Sequence, residues 1–331
     1  MSPHAELVQA VSRWYGIDAR AIVRRRTVQG IVAVDGSRYI WKPLSLRDDE
    51  ERLAALAGLQ DVFAESDTAT ALPLPTRDGH FIVRFSDQQG GGYLQPWLSG
   101  RHVEVAVRRE RLAVIRSIAR IQRSSQRLGF PHWSRLQRGT LLQKLRLKER
   151  AFSKIWTTLE SEYAPLRAWK SKLQRQMQTV LQRYTAYLAE HQGQIKTHFA
   201  FCHRDLAPHN VLFQPNKGVA WIDFDHANYD DMLHDVMQFI SHTTFLAQLS
   251  SEDFREMIDT YVEESEMSRD RTNLLWTLSA WPDILVRTLM EWYRNGCPAD
   301  GVTRLDYAIA CERRKEQYRL DAGVDMVRLD A

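Results

Sequence analysis

With 331 residues, 44% of them hydrophobic, the chain is long enough to build one large or two modest domains around a substantial core. The 45 Lys and Arg residues outnumber the 41 Asp and Glu residues by only four, and a net charge of +4 is too mild to argue for nucleic acid as a partner. Three scattered cysteines, Cys202, Cys297 and Cys311, argue against a disulfide framework or a structural zinc site, and no apolar run is long enough to span a bilayer. The first thirty residues lack the apolar core of a leader segment, so the expected compartment is the cytoplasm.

Residues 3–20 read as a short helix, with Leu7, Val8, Val11, Trp14 and Tyr15 at helical spacing. Ala21 to Thr27 and Ile31 to Val34 read as strands, and Asp35-Gly36 turns the chain into a returning strand, Arg38 to Lys42. Ser45 has the place of an N-cap, with Asp48 three residues on, for a helix running to about Gln60. A second hairpin turns at Asp78-Gly79, and Tyr93 to Leu98 reads as the strand that leaves this first region. Strands give way to long helices near Ser99-Gly100. Helices are expected at about 103–128, 140–162, 166–191, 232–248, 251–265, 269–295 and 303–320. The basic segment 135–150 is interleaved with leucines and reads as a solvated amphipathic helix.

The most informative stretch lies among the helices, at residues 197–225. Asn210 to Phe213 and Val219 to Ile222 read as two strands around a Pro-Asn-Lys-Gly turn. A hairpin brings its ends together. Asp205 and Asn210 stand just before it and Asp223 just after it, so two acids and an amide converge on one small volume. That equipment suits metal-assisted phosphoryl transfer.

His203-Arg204-Asp205-Leu206-Ala207-Pro208-His209-Asn210 resembles the catalytic loop of the protein-kinase-like fold, His-x-Asp-x-x-x-x-Asn, and Ile222-Asp223-Phe224-Asp225 resembles its metal-binding segment. Among branches of that fold the chain is most similar to the aminoglycoside phosphotransferase group, and within it to the CotS-type spore-coat proteins, through the Cys-His-x-Asp opening, the Asp-Phe-Asp segment and Trp97-Leu98-Ser99-Gly100-Arg101. The resemblance implies an α+β fold of two lobes: residues 1–98 as a small antiparallel-sheet lobe with its hinge at about 93–98, and residues 99–331 as a larger helical lobe. It implies Asp205 as the general base, Asn210 and Asp223 as ligands of Mg²⁺, and Asp225 as a possible second carboxylate near the metal. His203 would support the loop from beneath, and Asp235 would accept hydrogen bonds from the loop backbone. Lys42 ends a strand like the Val-Ala-Ile-Lys strand of kinases and would neutralise the phosphates of ATP. Its acidic partner is expected to be Glu50, with Glu51 as the rival. Gly30 would cover the nucleotide, although Thr27-Val28-Gln29-Gly30-Ile31 has one glycine where protein kinases have three. Gln95 and Trp97 would line the hinge.

Ala207 stands where kinases acting on Ser and Thr commonly carry Lys, and no Ala-Pro-Glu segment follows Asp223. Both absences point to a small-molecule hydroxyl acceptor. Trp276, Trp281, Trp292 and Tyr293, with Asp230, Asp231 and Glu291, are candidates to hold an amine or a sugar, although core packing is the commoner use of such residues. The alternative from the CotS-type resemblance is a structural or binding component of the spore coat, with other coat proteins as partners and little or no catalysis. A metal phosphohydrolase using His203, Asp205, His209 and the His234-Asp235 pair is a third reading.

Overall fold

The computed structural model describes residues 3–25, 28–85, 90–129, 136 and 139–324. Thr27 and the stretch 130–135, with its share of the basic segment, lie outside the described residues. Helix α1 (Pro3–Tyr15) precedes strands β1 (Ala19–Arg25), β2 (Val28–Ala33) and β3 (Arg38–Pro43). Helices α2 (Glu50–Ala57) and α3 (Gln60–Glu65) follow, then the short strands β4 (Ala69–Thr70) and β5 (Val83–Arg84), and then β6 (Gly91–Pro96). The antiparallel sheet runs in the order β1-β2-β3-β6-β5. Leu7 and Val11 of α1 pack with Ile31, Trp41, Val83 and Leu94 in a small core of their own. Both expected tight turns carry glycine in the left-handed region, Gly36 at φ +86 and Gly79 at φ +83.

The remainder is mostly helical. After β7 (Arg101–His102) comes α4 (Arg108–Leu128), and further helices span Leu141–Glu162, Lys170–Glu190, Leu233–Leu246, Ser251–Ser265, Arg269–Ser279, Asp283–Arg294 and Val302–Asp321. No helix among the described residues is long and apolar enough to cross a membrane. Embedded among them are β8 (Phe199–Cys202), the hairpin β9 (Val211–Gln214) and β10 (Gly218–Trp221), and β11 (Asn228–Asp231). The hairpin does not stand alone: β4 pairs parallel to β10 and β7 pairs antiparallel to β9. Segments from before and after the β6 strand therefore bracket the hairpin.

Several boundaries move from their expected places for identifiable reasons. The first helix stops at Tyr15 because Gly16 turns at φ +69. Ser45 is not the N-cap of α2. Its backbone N–H is tied to Asp48 in a local turn, and Asp49 caps the helix by accepting from Arg52 N. One expected helix, 269–295, is two, because Pro282 has no N–H to continue the ladder.

The two regions meet through aromatic rings. Phe63 of α3 makes edge contacts with Phe201, Trp221 and Phe224 at centroid distances of 5.8, 6.0 and 5.6 Å. Phe224 is the ring between Asp223 and Asp225, so this packing fixes the height of the acids at the end of the hairpin.

Gly30 on β2 lies under the Trp97 ring, and a Cβ there would sit 2.2 Å from a ring carbon. Gly30→Ala is expected to cost about 1–3 kcal/mol through overpacking. A melting temperature unchanged from the parent would show that the ring moves aside freely.

Candidate active site

The loop 203–210 begins where β8 ends. Asp235, fully buried in the first turn of helix Leu233–Leu246, accepts from the backbone N–H groups of His203 at 2.7 Å and Arg204 at 2.8 Å. Arg204 is held at φ +62, a region costly for a residue with a Cβ, and its N–H is one of the two that Asp235 secures. Burial works against the charge on Asp235. His234 at 3.5 Å and the two backbone N–H groups outweigh it and keep the carboxyl below its usual range. His203 is buried beneath the loop. Its Nε2 lies 2.9 Å from Ile222 O and its Nδ1 3.3 Å from Asp205 N, which assigns the proton to Nε2.

Asp205 is partly exposed, and amides from two elements hold its carboxylate. Gln238 Nε2 donates to Oδ1 at 3.2 Å, and Asn210 Nδ2 approaches Oδ2 at 3.5 Å while donating to the Asp205 carbonyl at 2.8 Å. Gln238 was not foreseen from the sequence, although it stands one helical turn after His234. Asn210 spends its amide donor on Asp205, so its oxygen is the atom on offer to a cation. Its backbone carbonyl accepts from Ile222 N at 3.0 Å, and the two ends of the hairpin therefore meet directly.

Asp223 follows at φ +67, a second non-glycine residue in the left-handed region at this site. Lys42, near the end of β3, reaches across to it. Its ammonium lies 2.7 Å from Asp223 and 2.5 Å from Asp225. Burial opposes the Lys42 charge, while Tyr93, Asp225 and Asp223 favour it, and the net shift is upward. Tyr93 is itself pushed up by burial and stays neutral near pH 7, so the two carboxylates hold the ammonium charged. Burial likewise opposes the Asp223 charge, and Lys42 outweighs it to bring that carboxyl below its usual range.

The expected Lys42–Glu50 pair is not formed. Glu50 opens α2 and spends its carboxylate on the backbone N–H groups of Phe81 at 2.5 Å and Ile82 at 3.1 Å, with His80 at 3.6 Å. Arg52, two residues on, is the α2 side chain that reaches the site. Only 1% exposed, it donates to the carbonyls of Phe224, Asp225 and Ala227, each at 3.1 Å. Where an acid was expected from α2, a cation holds the segment after Asp223 by its backbone.

Gln95 is buried and donates to Ala71 O at 3.1 Å; Trp97 lies over Gly30, and its N–H donates to Arg38 O. Of the aromatic and acidic residues put forward for the acceptor, Trp281 lines a cavity of about 160 Å³ beside Asp205. Asp230 and Asp231 are fully buried and committed, the first to Arg204 and the N–H groups of Leu141 and Asp231, the second to Arg271 and Tyr184. They cannot receive an amine. Trp292 donates to Pro298 O, and Glu291 pairs with Arg304.

Among the described residues no group of three or more His, Cys, Asp or Glu side chains is placed to hold a metal ion. The donor set carried at the end of the hairpin is the Asn210 amide oxygen with the Asp223 and Asp225 carboxylates. It fits a hard cation sharing its coordination with phosphates, and the Lys42 ammonium already bridges the two carboxylates.

Comparison with solved structures gives the fold. An aminoglycoside phosphotransferase from Alicyclobacillus acidocaldarius superposes with a TM-score of 0.77 at 14% identity, covering 99% of this chain and 97% of that one. A microcompartment-associated aminopropanol kinase gives 0.61 at 16% identity over 97% and 99% of the two chains. A choline kinase from Cryptosporidium parvum gives 0.61 at 11% identity over 98% of each. These likenesses establish a kinase-like α+β fold with an antiparallel-sheet N-terminal region. In sequence, ethanolamine kinase 2 of Homo sapiens is 38% identical over 58 residues, which is 17% of this chain and 15% of that protein. The chain therefore matches only a short part of that relative's length. The sequence pattern of the phosphotransferase enzyme family matches residues 16–275, a span that holds β1 through the loop 203–210 and the segment 222–225, and the chain belongs to that family.

Proposed function

We propose that the protein transfers the γ-phosphoryl group of ATP to a hydroxyl of a small molecule. The observation that carries this reading is the chain of contacts from Asp205, held by Gln238 and Asn210 beside a cavity, through Asn210 to Ile222 and so to Asp223, where Lys42 bridges Asp223 and Asp225. Asp205 would orient the acceptor hydroxyl and take its proton as the oxygen bonds to the γ-phosphorus. The bond from that phosphorus to the β–γ bridging oxygen breaks, and ADP leaves with the electron pair. Lys42 would turn from the carboxylates to the phosphates, and Gly30, Gln95 and Trp97 would bound the nucleotide. Asn210 and Asp223, with Asp225, would hold Mg²⁺, which when bound neutralises phosphate charge. The rest of the acceleration would come from positioning.

A place in the spore coat, and the alternative of a coat component without catalysis, rest on the CotS-type resemblance alone. A coat component has no use for a carboxylate held by two amides at a cavity mouth, so the site favours chemistry. Lys42→Met tests the donor side. Loss of a charge-assisted contact of about 1.5–3 kcal/mol is expected to raise KM for MgATP by roughly 10- to 100-fold. Because Asp223 and Asp225 are partly exposed, the fold should survive the substitution. An ADP-release assay with a parallel melting curve reads both, and an unchanged KM would remove Lys42 from the nucleotide site.

A further inference from the structure

The cavity beside Asp205 is walled by cations. Lys144 and Lys148 come from helix Leu141–Glu162, Arg287 and Asp283 from helix Asp283–Arg294, and His234, Gln238 and His242 from helix Leu233–Leu246. Its acids are Asp205 and Asp283. Asp283 is committed, accepting from Lys148 Nζ at 2.5 Å and Ser241 Oγ at 3.3 Å. Burial opposes its charge, but Lys148 and Arg287 hold the carboxyl far below its usual range. The histidines add no negative charge and are neutral near pH 7. Burial first, then Arg287, pushes His242 down to about 3, and burial with Lys144 does the same to His234.

With Lys148 balanced by Asp283, two cations remain against the one catalytic acid. Lys144 Nζ contacts only neutral groups, His234 Nε2 at 2.9 Å and the Arg204 carbonyl at 3.5 Å. Arg287 lies against His242 and over the Phe245 ring, and among the described residues it makes no direct ion pair, although Asp283 is near enough to feel its charge. Trp281, 1% exposed, leaves its indole N–H without an acceptor among the described residues. Lys144, Arg287 and Trp281 thus bring three kinds of donor to the lining of a space short of acceptors. The orphaned acceptor there is Gln238 Oε1, on the side chain that touches Asp205, where a substrate hydroxyl would donate. A second basic groove of about 520 Å³, lined by Arg47, Arg204 and Arg294, shares Lys144 and Lys148 with this cavity.

We propose that the acceptor is a small hydroxylated anion, whose carboxylate or phosphate is held by Lys144 and Arg287 while its hydroxyl meets Asp205. The proposal rests on the phosphotransferase reading and narrows it. An amino alcohol would bring a third cation into a space where Lys144 and Arg287 already outnumber Asp205. The position of Lys144 adds a pH signature. Burial first, then Lys148 on its own helix and Arg204, lower its pKa to about 8 against the pull of Asp283 and Asp230. It is charged below that value and neutral above, so the acceptor KM should rise as pH climbs through it.

ADP release with MgATP is measured against size-matched panels of hydroxy acids, sugar phosphates, neutral polyols and amino alcohols. The best anion is expected to exceed the best amino alcohol in kcat/KM by about tenfold or more, and the carboxylate and phosphate panels identify which anion it is. Arg287→Gln and Lys144→Met should each raise the acceptor KM about tenfold while the KM for MgATP stays within about twofold. A preference for amino alcohols or neutral polyols, or an acceptor KM indifferent to both substitutions, overturns the proposal. If basal ATP hydrolysis is present and sensitive to Asp205→Asn, yet no anion accelerates ADP release, the anion proposal fails and the phosphotransferase reading stands. If MgATP neither binds nor turns over, both fall.

Discussion

Replacing Asp205 with Asn is expected to lower kcat by about 10²- to 10⁴-fold while leaving MgATP binding and the fold in place, because the substitution removes a proton acceptor and little volume. The carboxylate is partly exposed and receives only amide donors, Gln238 Nε2 and Asn210 Nδ2, so an amide in its place strands no charge. Two measurements separate a chemical role from a structural one. Steady-state ADP release should fall by the stated factor, and the thermal shift produced by MgATP should match that of the parent. Equal turnover by the two proteins would show that Asp205 is not the base. A lost thermal shift would show instead that the residue supports the nucleotide site.

Asp235→Ala is expected to be among the most destabilising single changes in the chain. The side chain is fully buried and is the recorded acceptor for the His203 and Arg204 N–H groups. Leaving a buried donor unsatisfied costs about 1–3 kcal/mol, so two of them put the loss on the order of 3 kcal/mol or more. Arg204 would also lose the contact that holds it at φ +62, which frees the loop bearing Asp205. Asp235→Asn keeps one acceptor oxygen and should cost roughly half as much. The pH dependence has a definite sign. A carboxyl whose folded pKa lies below its unfolded value contributes stability above the unfolded value, near 4, and loses it as pH falls through the folded one. The difference in melting temperature between parent and Asp235→Ala should therefore be full at pH 6 to 7 and shrink in acid. A difference that is flat with pH would mean that the carboxylate's charge plays no part.

The sequence was most legible where local chemistry dictates geometry. The Pro-Asn-Lys-Gly turn between two apolar runs specified the β9–β10 hairpin to within one residue, and with it the contact of Asn210 with Ile222, the residue before Asp223. Asp35-Gly36 and Asp78-Gly79 specified their turns because glycine alone adopts those φ values cheaply. What stayed hidden depended on neighbours distant in sequence. Asn228 to Asp231 has no apolar alternation, yet it pairs with Phe199 to Cys202, because its side chains are consumed by Arg204, Arg271 and Tyr184. Glu50 and Arg52 share the start of one helix, and only the packed structure decides that the acid binds the Phe81–Ile82 backbone while the cation reaches the site. Lys144 and Lys148 looked like the wet face of an amphipathic helix. Their role at the cavity depends on Arg287 arriving from nearly 140 residues later.

The bridge from Lys42 to Asp223 and Asp225 commits the ammonium to two carboxylates, and this governs how ligands would enter. A bare divalent ion would have to expel the ammonium into water, and a bare triphosphate would have to draw it away from two carboxylates. When ion and triphosphate arrive together, each finds the counter-charge that the other has released. The two would thus reinforce one another's affinity, a coupling set by one lysine's change of partner.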